Sequence, residues 1–347
     1  MPHYDHKSAS LSSHPSSKTF SSHSHSITFG NSNSLDPKMF YVVTAISNPL
    51  LWKSRIDAYR EFEKHMIDSG VNLYTVECVY GERPFQCAGT PGVVHIGVRA
   101  ETLAWNKENL LNIGISRLPL DAKYIGTFDA DIKFRKKTWV SDTLNALQLY
   151  DVIQPWSNCY DLGPNDEHIN HHVSFVRQYF HGHPVVPGGP NFWAHSGGKH
   201  DYPHSGYAWA WRRSALDKIG GLFELGGMGS GDHHMALSLV DKAEYSVPKG
   251  ATDNYLQSLY TWRDRAVKFA NFNIGYIQGT IEHFFHGRKH DRKYVDRWDM
   301  FLKHNFDPHV DLHKNTCGVI EFASHKPELK REFDLYLRSR NEDINSL

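Results

Sequence analysis

KYIGTFDADIKF (123–134) reads as an apolar strand that runs into two carboxylates, Asp129 and Asp131, spaced i and i+2. Two acids at the end of a buried-type strand suit a divalent cation that itself grips phosphates. Magnesium and manganese take oxygen ligands and leave positions for substrate phosphates. An Asp-x-Asp triplet also occurs in solvated surface turns, and its place directly after YIGTF is what favours a functional role.

Outward from this strand the pattern alternates. MFYVVTAI (39–46) is a β-branched, apolar run closed by Ser47-Asn48-Pro49, a strand and a turn. SRIDAYREFEKHMIDSG (54–70) places Ile56, Tyr59, Phe62 and Met66 near helical spacing, with Gly70 as a C-terminal cap. VNLYTVECVYG (71–81) and HIGVRA (95–100) read as strands, and LAWNKENLLNIGISRL (103–118) as a helix. A helix near 138–150 precedes the strand DVIQPW (151–156). Strands alternating with helices imply a parallel α/β sheet, and ligands of such sheets sit beyond the strands' carboxyl ends. Ser47-Asn48-Pro49 and Asp129-Ala130-Asp131 fall there. The segment 157–206 is rich in His, Gly, Pro and Asn, and reads as a long loop with Trp193 and His195 in a lid or acceptor surface, or as a solvated insertion.

Composition bounds the function. The chain has 347 residues, with 38 Lys+Arg against 38 Asp+Glu, so no net basic charge points to nucleic acid or an anionic membrane. A hydrophobic fraction of 40% supports a packed core. No apolar run approaches the roughly 18 residues of a membrane span. Cys78, Cys87, Cys159 and Cys317 form no C-x-x-C pair and read as buried, reduced thiols of a cytoplasmic protein. Residues 1–38 are Ser- and His-rich without period and are expected to be a disordered extension, with Met39 as the functional start. The expected division is this extension, a catalytic domain over 39–310, and a C-terminal helical extension over 311–347.

Two further motifs carry chemistry. GGLFELGGMGSGDHHMALSL (220–239) is a glycine-rich loop ending at Asp232 before a helix. There Asp232 is either a helix cap or a general base in a glycine-walled cleft, with His233 and His234 beside it. GYIQGTIEHFFHGRK (275–289) brings His283 and His286 next to a basic stretch. The two imidazoles suit a metal, and Arg288, Lys289, Arg292 and Lys293 suit a diphosphate leaving group.

In this order the motifs resemble GT-A-fold, metal-dependent glycosyltransferases, nearest to the β-1,4-galactosyltransferases and polypeptide GalNAc transferases. NKENLLNIGISRL followed by KYIGTFDADIKF is similar to the galactosyltransferase helix and strand that lead into the D-x-D motif. SGYAWAWRRSALDKIGGLFE resembles the segment before the acceptor loop. GGMGSGDHH falls at the Gly-rich acidic loop, with Asp232 at the proposed base and Gly231, His233 and His234 replacing neighbouring acids. His283-x-x-His286 matches a Met-x-x-His metal pair, with His283 at the Met position. The resemblance covers about residues 39–300. The chain, including the ending FDLYLRSRNED, also resembles phage-encoded glycosyltransferases.

This resemblance implies a mainly parallel, Rossmann-like sheet flanked by helices, and inverting transfer from a nucleotide-sugar, taken as a UDP-sugar, to an acceptor hydroxyl. It implies Mn²⁺ or Mg²⁺ on Asp131, His283 and His286. Donor contacts are expected from Ser47, Asn48, Arg55, Asn106, Asp129, Arg288 and Lys289. Asp232 is the expected base, and Trp193, Met228, His233 and His234 the acceptor contacts. The acceptor is left open among a glycan, a protein and a hydroxymethylated base of phage DNA. A metal-dependent hydrolase and a non-catalytic carbohydrate-binding protein are the rival classes.

Overall fold

The computed structural model describes residues 35–186, 203–293 and 297–344. The expected extension therefore lies outside the described residues up to residue 34, as does Trp193. The compact unit begins at Leu35 rather than Met39, and both side chains pack onto the core.

In chain order the first half holds β1 (Phe40–Ser47), α1 (Lys53–Asp68), β2 (Asn72–Tyr80), β3 (Val93–Ala100), α2 (Lys107–Ser116), β4 (Tyr124–Phe128), β5 (Ile132–Phe134) and α3 (Trp139–Ala146). Then come β6 (Val152–Gln154), β7 (Asn158–Leu162), β8 (His168–Ser174), α4 (Phe175–Phe180), β9 (Pro203–His204), β10 (Ala208–Arg212), α5 (Arg213–Ile219) and α6 (Gly231–Leu239). The last part holds α7 (Asp253–Ala270), β11 (Ile274–Tyr276), β12 (Thr280–His283), α8 (Arg297–Lys303), α9 (Pro308–Asp311), β13 (Leu312–Lys314), β14 (Ile320–Phe322) and α10 (Pro327–Arg338).

The fold is mixed α/β, with a seven-stranded central sheet in the order β11-β6-β10-β4-β1-β2-β3. Its pairs are parallel except those that β10 makes with β4 and β6. Along β1 the side chains alternate between two cores: Val43 joins one, while Phe40, Val42 and Ile46 join the other. Burial on both faces explains why these strands read as continuous apolar runs. At Gly114 an added Cβ would stand 2.4 Å from Val43 and 2.8 Å from Val76, so the glycine lets α2 lie close on β1 and β2.

A second sheet runs β5-β12-β7-β8-β9. The expectation of one loop over 157–206 is thus corrected, because β7, β8 and α4 order residues 158–180. Three histidines in β8 masked its strand character, and two of them, His171 and His172, are half-buried. The expected strand over 123–134 is also divided. It leaves the central sheet after Phe128 and re-enters the second sheet at Ile132, so Asp129-Ala130-Asp131 forms the passage between sheets. Phe134 stacks on buried Trp139 at 4.1 Å, which ties β5 to α3. Removing such a ring costs about 3–5 kcal/mol.

The C-terminal residues are not a helix alone. β13 and β14 pair antiparallel, and Val319, Phe322, Leu329 and Phe333 enter the main core. Among the cysteines, Cys78, Cys87 and Cys159 are buried free thiols as expected, whereas Cys317 is exposed.

Candidate active site

Strand register assembles the site. β12 lies between β5 and β7, with His283 opposite Ile132 on one side and Asp161 on the other. The Phe284 N–H donates to the Asp131 carbonyl at 2.8 Å, which holds the Asp-x-Asp turn against the end of β12. As a result Asp131, His283 and His286 offer ligand atoms that all lie within 4.8 Å of one another. Asp131 Oδ2 is 3.0 Å from His286 Nε2 and 3.7 Å from His283 Nε2, and the two Nε2 atoms are 3.3 Å apart. Asp131 Oδ1 is buried with no hydrogen-bond partner among the described residues.

Each imidazole is held from behind by a carboxylate. His283 Nδ1 donates to Asp161 Oδ1 at 2.9 Å, and His286 Nδ1 to Glu342 Oε2 at 3.2 Å. An ionised carboxylate only accepts, so each Nδ1 carries a proton, and the Nε2 that faces Asp131 is the nitrogen a metal would take in place of any proton there. One oxygen and two imidazole nitrogens, with the second oxygen of Asp131 unsatisfied among the described residues, fit a divalent transition ion. Burial opposes ionisation of Asp131, but the charge and hydrogen bonds of His283 and His286 outweigh it and hold the carboxyl well below its usual range. Burial lowers His283, while Asp131 and Asp161 overcome this and raise it to about 9. Arg292 Nη2 stands 3.0 Å from His286 Nε2, so a guanidinium borders the group.

A second charged group adjoins the first. Lys107, at the start of α2, donates to Asp129 Oδ1 at 3.0 Å, and the Tyr207 N–H donates to Asp129 Oδ2 at 3.2 Å. Burial raises the Asp129 carboxyl, Lys107 opposes, and the charges of Asp131 and Asp232 add to the rise. Lys107 is itself raised, because Asp129, Asp232 and Glu108 outweigh its burial. Asp232 is the second residue of α6 and is half-buried. Ser230 takes the cap position, and Asp232 Oδ1 accepts from the adjacent His233 N–H at 2.9 Å. Asp129, Lys107 and Asp232 therefore share one electrostatic environment.

A cavity of about 390 Å³ opens beyond the carboxyl ends of β1 and β2, lined by Pro49, Leu50, Tyr80, Arg83, Leu103 and Arg338 among others. Side-chain contacts connect it to the Asp131 group. Tyr80 Oη is 3.0 Å from Ser47 Oγ, Arg55 Nη1 donates to the Ser47 carbonyl at 2.6 Å, and Arg55 Nη2 donates to Glu342 Oε1 at 2.8 Å.

Among the solved structures to which the chain is similar are three sugar-nucleotide transferases. Drosophila β-1,4-galactosyltransferase 7, solved with manganese, UDP-Gal and xylobiose, is 11% identical over 84% of this chain and 97% of that one, with a TM-score of 0.38. Staphylococcus aureus TarS 1–349 with UDP-GlcNAc is 9% identical over 77% and 69%, with a TM-score of 0.39. Mycobacterium tuberculosis glucosyl-3-phosphoglycerate synthase with Mn²⁺, UDP and phosphoglyceric acid is 10% identical over 77% and 75%, with a TM-score of 0.33. No family model and no curated protein matches the chain. Likeness of this degree assigns neither a substrate nor a residue role, and both rest on the site itself. The phage resemblance gains nothing from these matches.

Of the expected residues, Asp131, His283 and His286 meet, and Asp129, Asp232, Ser47 and Arg55 lie in or beside the same cleft. The other expected residues are placed as follows. Asn48 is buried and spends its amide on both backbone groups of Trp52, at 2.9 Å each. Asn106 is buried at the head of α2. Arg288 donates to Asp291, three residues on. Lys289 Nζ lies 2.5 Å from Asp161 Oδ2, on the Nδ1 side of His283. Met228 is fully buried in the core. His234 is also fully buried, with its ring nitrogens 2.7 Å from Ser246 Oγ and Tyr255 Oη, as a core histidine. Only His233, whose Nδ1 has no partner among the described residues, remains beside Asp232 as an acceptor-side candidate.

Sequence reasoning missed Lys107, Asp161 and Glu342. Lys107 sits inside the quoted NKENLL stretch, and Glu342 inside the quoted FDLYLRSRNED ending. Asp161 alone gave no signal, since its role depends on β12 pairing with β7.

Proposed function

We propose that the chain is a metal-dependent glycosyltransferase that moves a sugar from a nucleotide-sugar, taken as a UDP-sugar, to an acceptor hydroxyl. The convergence of Asp131, His283 and His286 at the carboxyl edge of the central sheet carries this reading. Two imidazoles in the donor set favour Mn²⁺ over Mg²⁺. Bound there, the cation would neutralise charge on the leaving diphosphate.

The chain's own residues do the rest. The cavity at Tyr80 and Arg83 takes the base and ribose, and Ser47 and Arg55 lie between it and Asp131. Lys107 holds Asp129 at the sugar side of the cleft. Asp232 accepts the proton of the acceptor hydroxyl as its oxygen bonds to the anomeric carbon. The bond from that carbon to the diphosphate breaks in the same step, its electron pair leaves with the diphosphate, and attack from the opposite face inverts the configuration. Arg55 and Arg292 stabilise the developing charge in a partly buried setting where it is worth most.

A panel of nucleotide-sugars with Mn²⁺, read by mass spectrometry on glycan, protein and hydroxymethylated-DNA acceptors, tests the reading. A sugar-sized mass increase on an acceptor supports it. Donor hydrolysis without any acceptor product assigns a hydrolase instead, and metal-independent sugar binding without turnover a binding protein.

A further inference from the structure

The residues that follow α10 return to the centre of the molecule. Glu342 is 1% exposed, and its carboxylate accepts from His286 Nδ1 at 3.2 Å, from Arg55 Nη2 at 2.8 Å and from Arg55 Nε at 2.5 Å. Arg340 lies 2.7 Å from the same carboxylate. Asp343 beside it accepts from the Lys53 and Ser54 N–H groups at 3.0 and 2.8 Å. These are free N–H groups at the start of α1, where the local cap residue, Trp52, offers no side-chain acceptor. Ser54 Oγ donates to the Glu342 carbonyl at 2.9 Å. At Gly287, next to His286 and at φ +84°, an added Cβ would stand 2.8 Å from Glu342 Cα. The C-terminal strap is thus bonded to α1 on one side and packed against the His283–His286 turn on the other.

We infer that the strap Arg340–Asp343 is a component of the metal centre, with Glu342 as the positioning residue that sets the ring orientation and tautomer of His286. This inference rests on the metal site proposed above. His286 has two nitrogens and can present Nε2 to Asp131 only while Nδ1 keeps its proton, which requires an acceptor behind it. Glu342 supplies that acceptor and also binds Arg55, so its two oxygens serve both the imidazole and the guanidinium. Loss of such a carboxylate behind a ligating histidine typically weakens metal binding about 10–100-fold. Asp343 acts one step further out, by fixing the strap on α1.

Mn²⁺ binding to the full chain, measured by calorimetry or by the loss of free-ion electron paramagnetic resonance signal, tests this without any substrate. Glu342→Gln keeps the side-chain volume but has one acceptor oxygen in place of two, and its amide N–H₂ facing His286 demands the wrong tautomer. It should raise the Mn²⁺ dissociation constant by about 10-fold or more. Asp343→Ala, which touches neither the imidazole nor Arg55, should shift it less and in the same direction. A Gln variant that melts earlier yet binds Mn²⁺ as the wild type does overturns the inference and leaves Glu342 as a structural ion-pair partner. Absence of saturable Mn²⁺ binding in the wild type overturns the metal site itself and this inference with it.

Discussion

His283 presents Nδ1 to Asp161 Oδ1 at 2.9 Å from the neighbouring strand, where the two residues are register partners. The same carboxylate accepts from Tyr207 Oη at 3.0 Å and from His172 Nε2 at 2.6 Å, and Lys289 lies 2.5 Å away. Four side chains thus depend on one buried acid. Burial raises that acid, but His172, His283 and Lys289 outweigh burial and hold it far below the ordinary carboxylate range.

Asp161→Asn should therefore act at a distance from any substrate. The ring of His283 loses its charged acceptor, and Mn²⁺ affinity should fall about 10–100-fold. Stability should fall as well, because Lys289 loses its counter-charge and His172 a hydrogen-bond partner. Calorimetric titration of Mn²⁺ checks the first part, and an unchanged affinity would show that packing alone orients His283.

Asp131→Ala removes the oxygen ligand and should abolish metal-dependent donor turnover. Excess chelator added to the wild type should do the same, with recovery on adding Mn²⁺. Full turnover in chelator would remove the metal from the mechanism.

The legible part of this molecule was local. Apolar runs gave β1 and β2 within a residue or two, and the start of β4, because strands buried on both faces need no partner information to be recognised. His283 and His286, three residues apart, were readable as a pair for the same reason. What escaped depended on distant pairing. Asp161 meets His283 only through the β7–β12 register, and Glu342 meets His286 only because the strap returns to α1. Occupancy was equally out of reach: Asn48 and His234 carry hydrogen bonds within the fold, and Met228 is buried in the core. His234 follows Asp232 and His233 in sequence, yet the turn of α6 points it into the core between Ser246 and Tyr255.

Glu108 provides a pH-dependent test of the cleft. Its carboxyl packs against Gly231, and burial, with the charge of Asp232, raises it from 4.5 to about 7 although Lys107 opposes. A folded-state value above the unfolded one means that the fold binds more protons than the unfolded chain. Stability from this group is then fullest below about 4.5, falls as pH rises towards about 7, and levels off above. The loss should be about 1–3 kcal/mol, with Lys107 Nζ at 3.9 Å from Glu108 Oε1 limiting it. Glu108→Gln should flatten this slope and gain stability relative to the wild type at pH 8 but not at pH 4.5. Urea melts of both proteins across that range check it, and parallel profiles would show that Glu108 titrates normally.

Asp232→Asn separates catalysis from folding. Ser230, not Asp232, occupies the cap position of α6, and the Asn carbonyl can still accept from the His233 N–H, so the helix start should be kept. Donor and metal affinity should stay near wild type, since Asp131, His283 and His286 are untouched. Transfer should fall roughly a hundredfold to ten-thousandfold, the usual worth of a general base. Loss of the negative charge beside Lys107 and Asp129 could instead act through donor binding, and that effect would enter KM while kcat stayed near normal. A variant with wild-type Mn²⁺ binding, an unchanged melting temperature and turnover within a few-fold of normal would exclude Asp232 as the base. The half-buried His233, whose Nδ1 has no partner among the described residues, would then be the next group to vary.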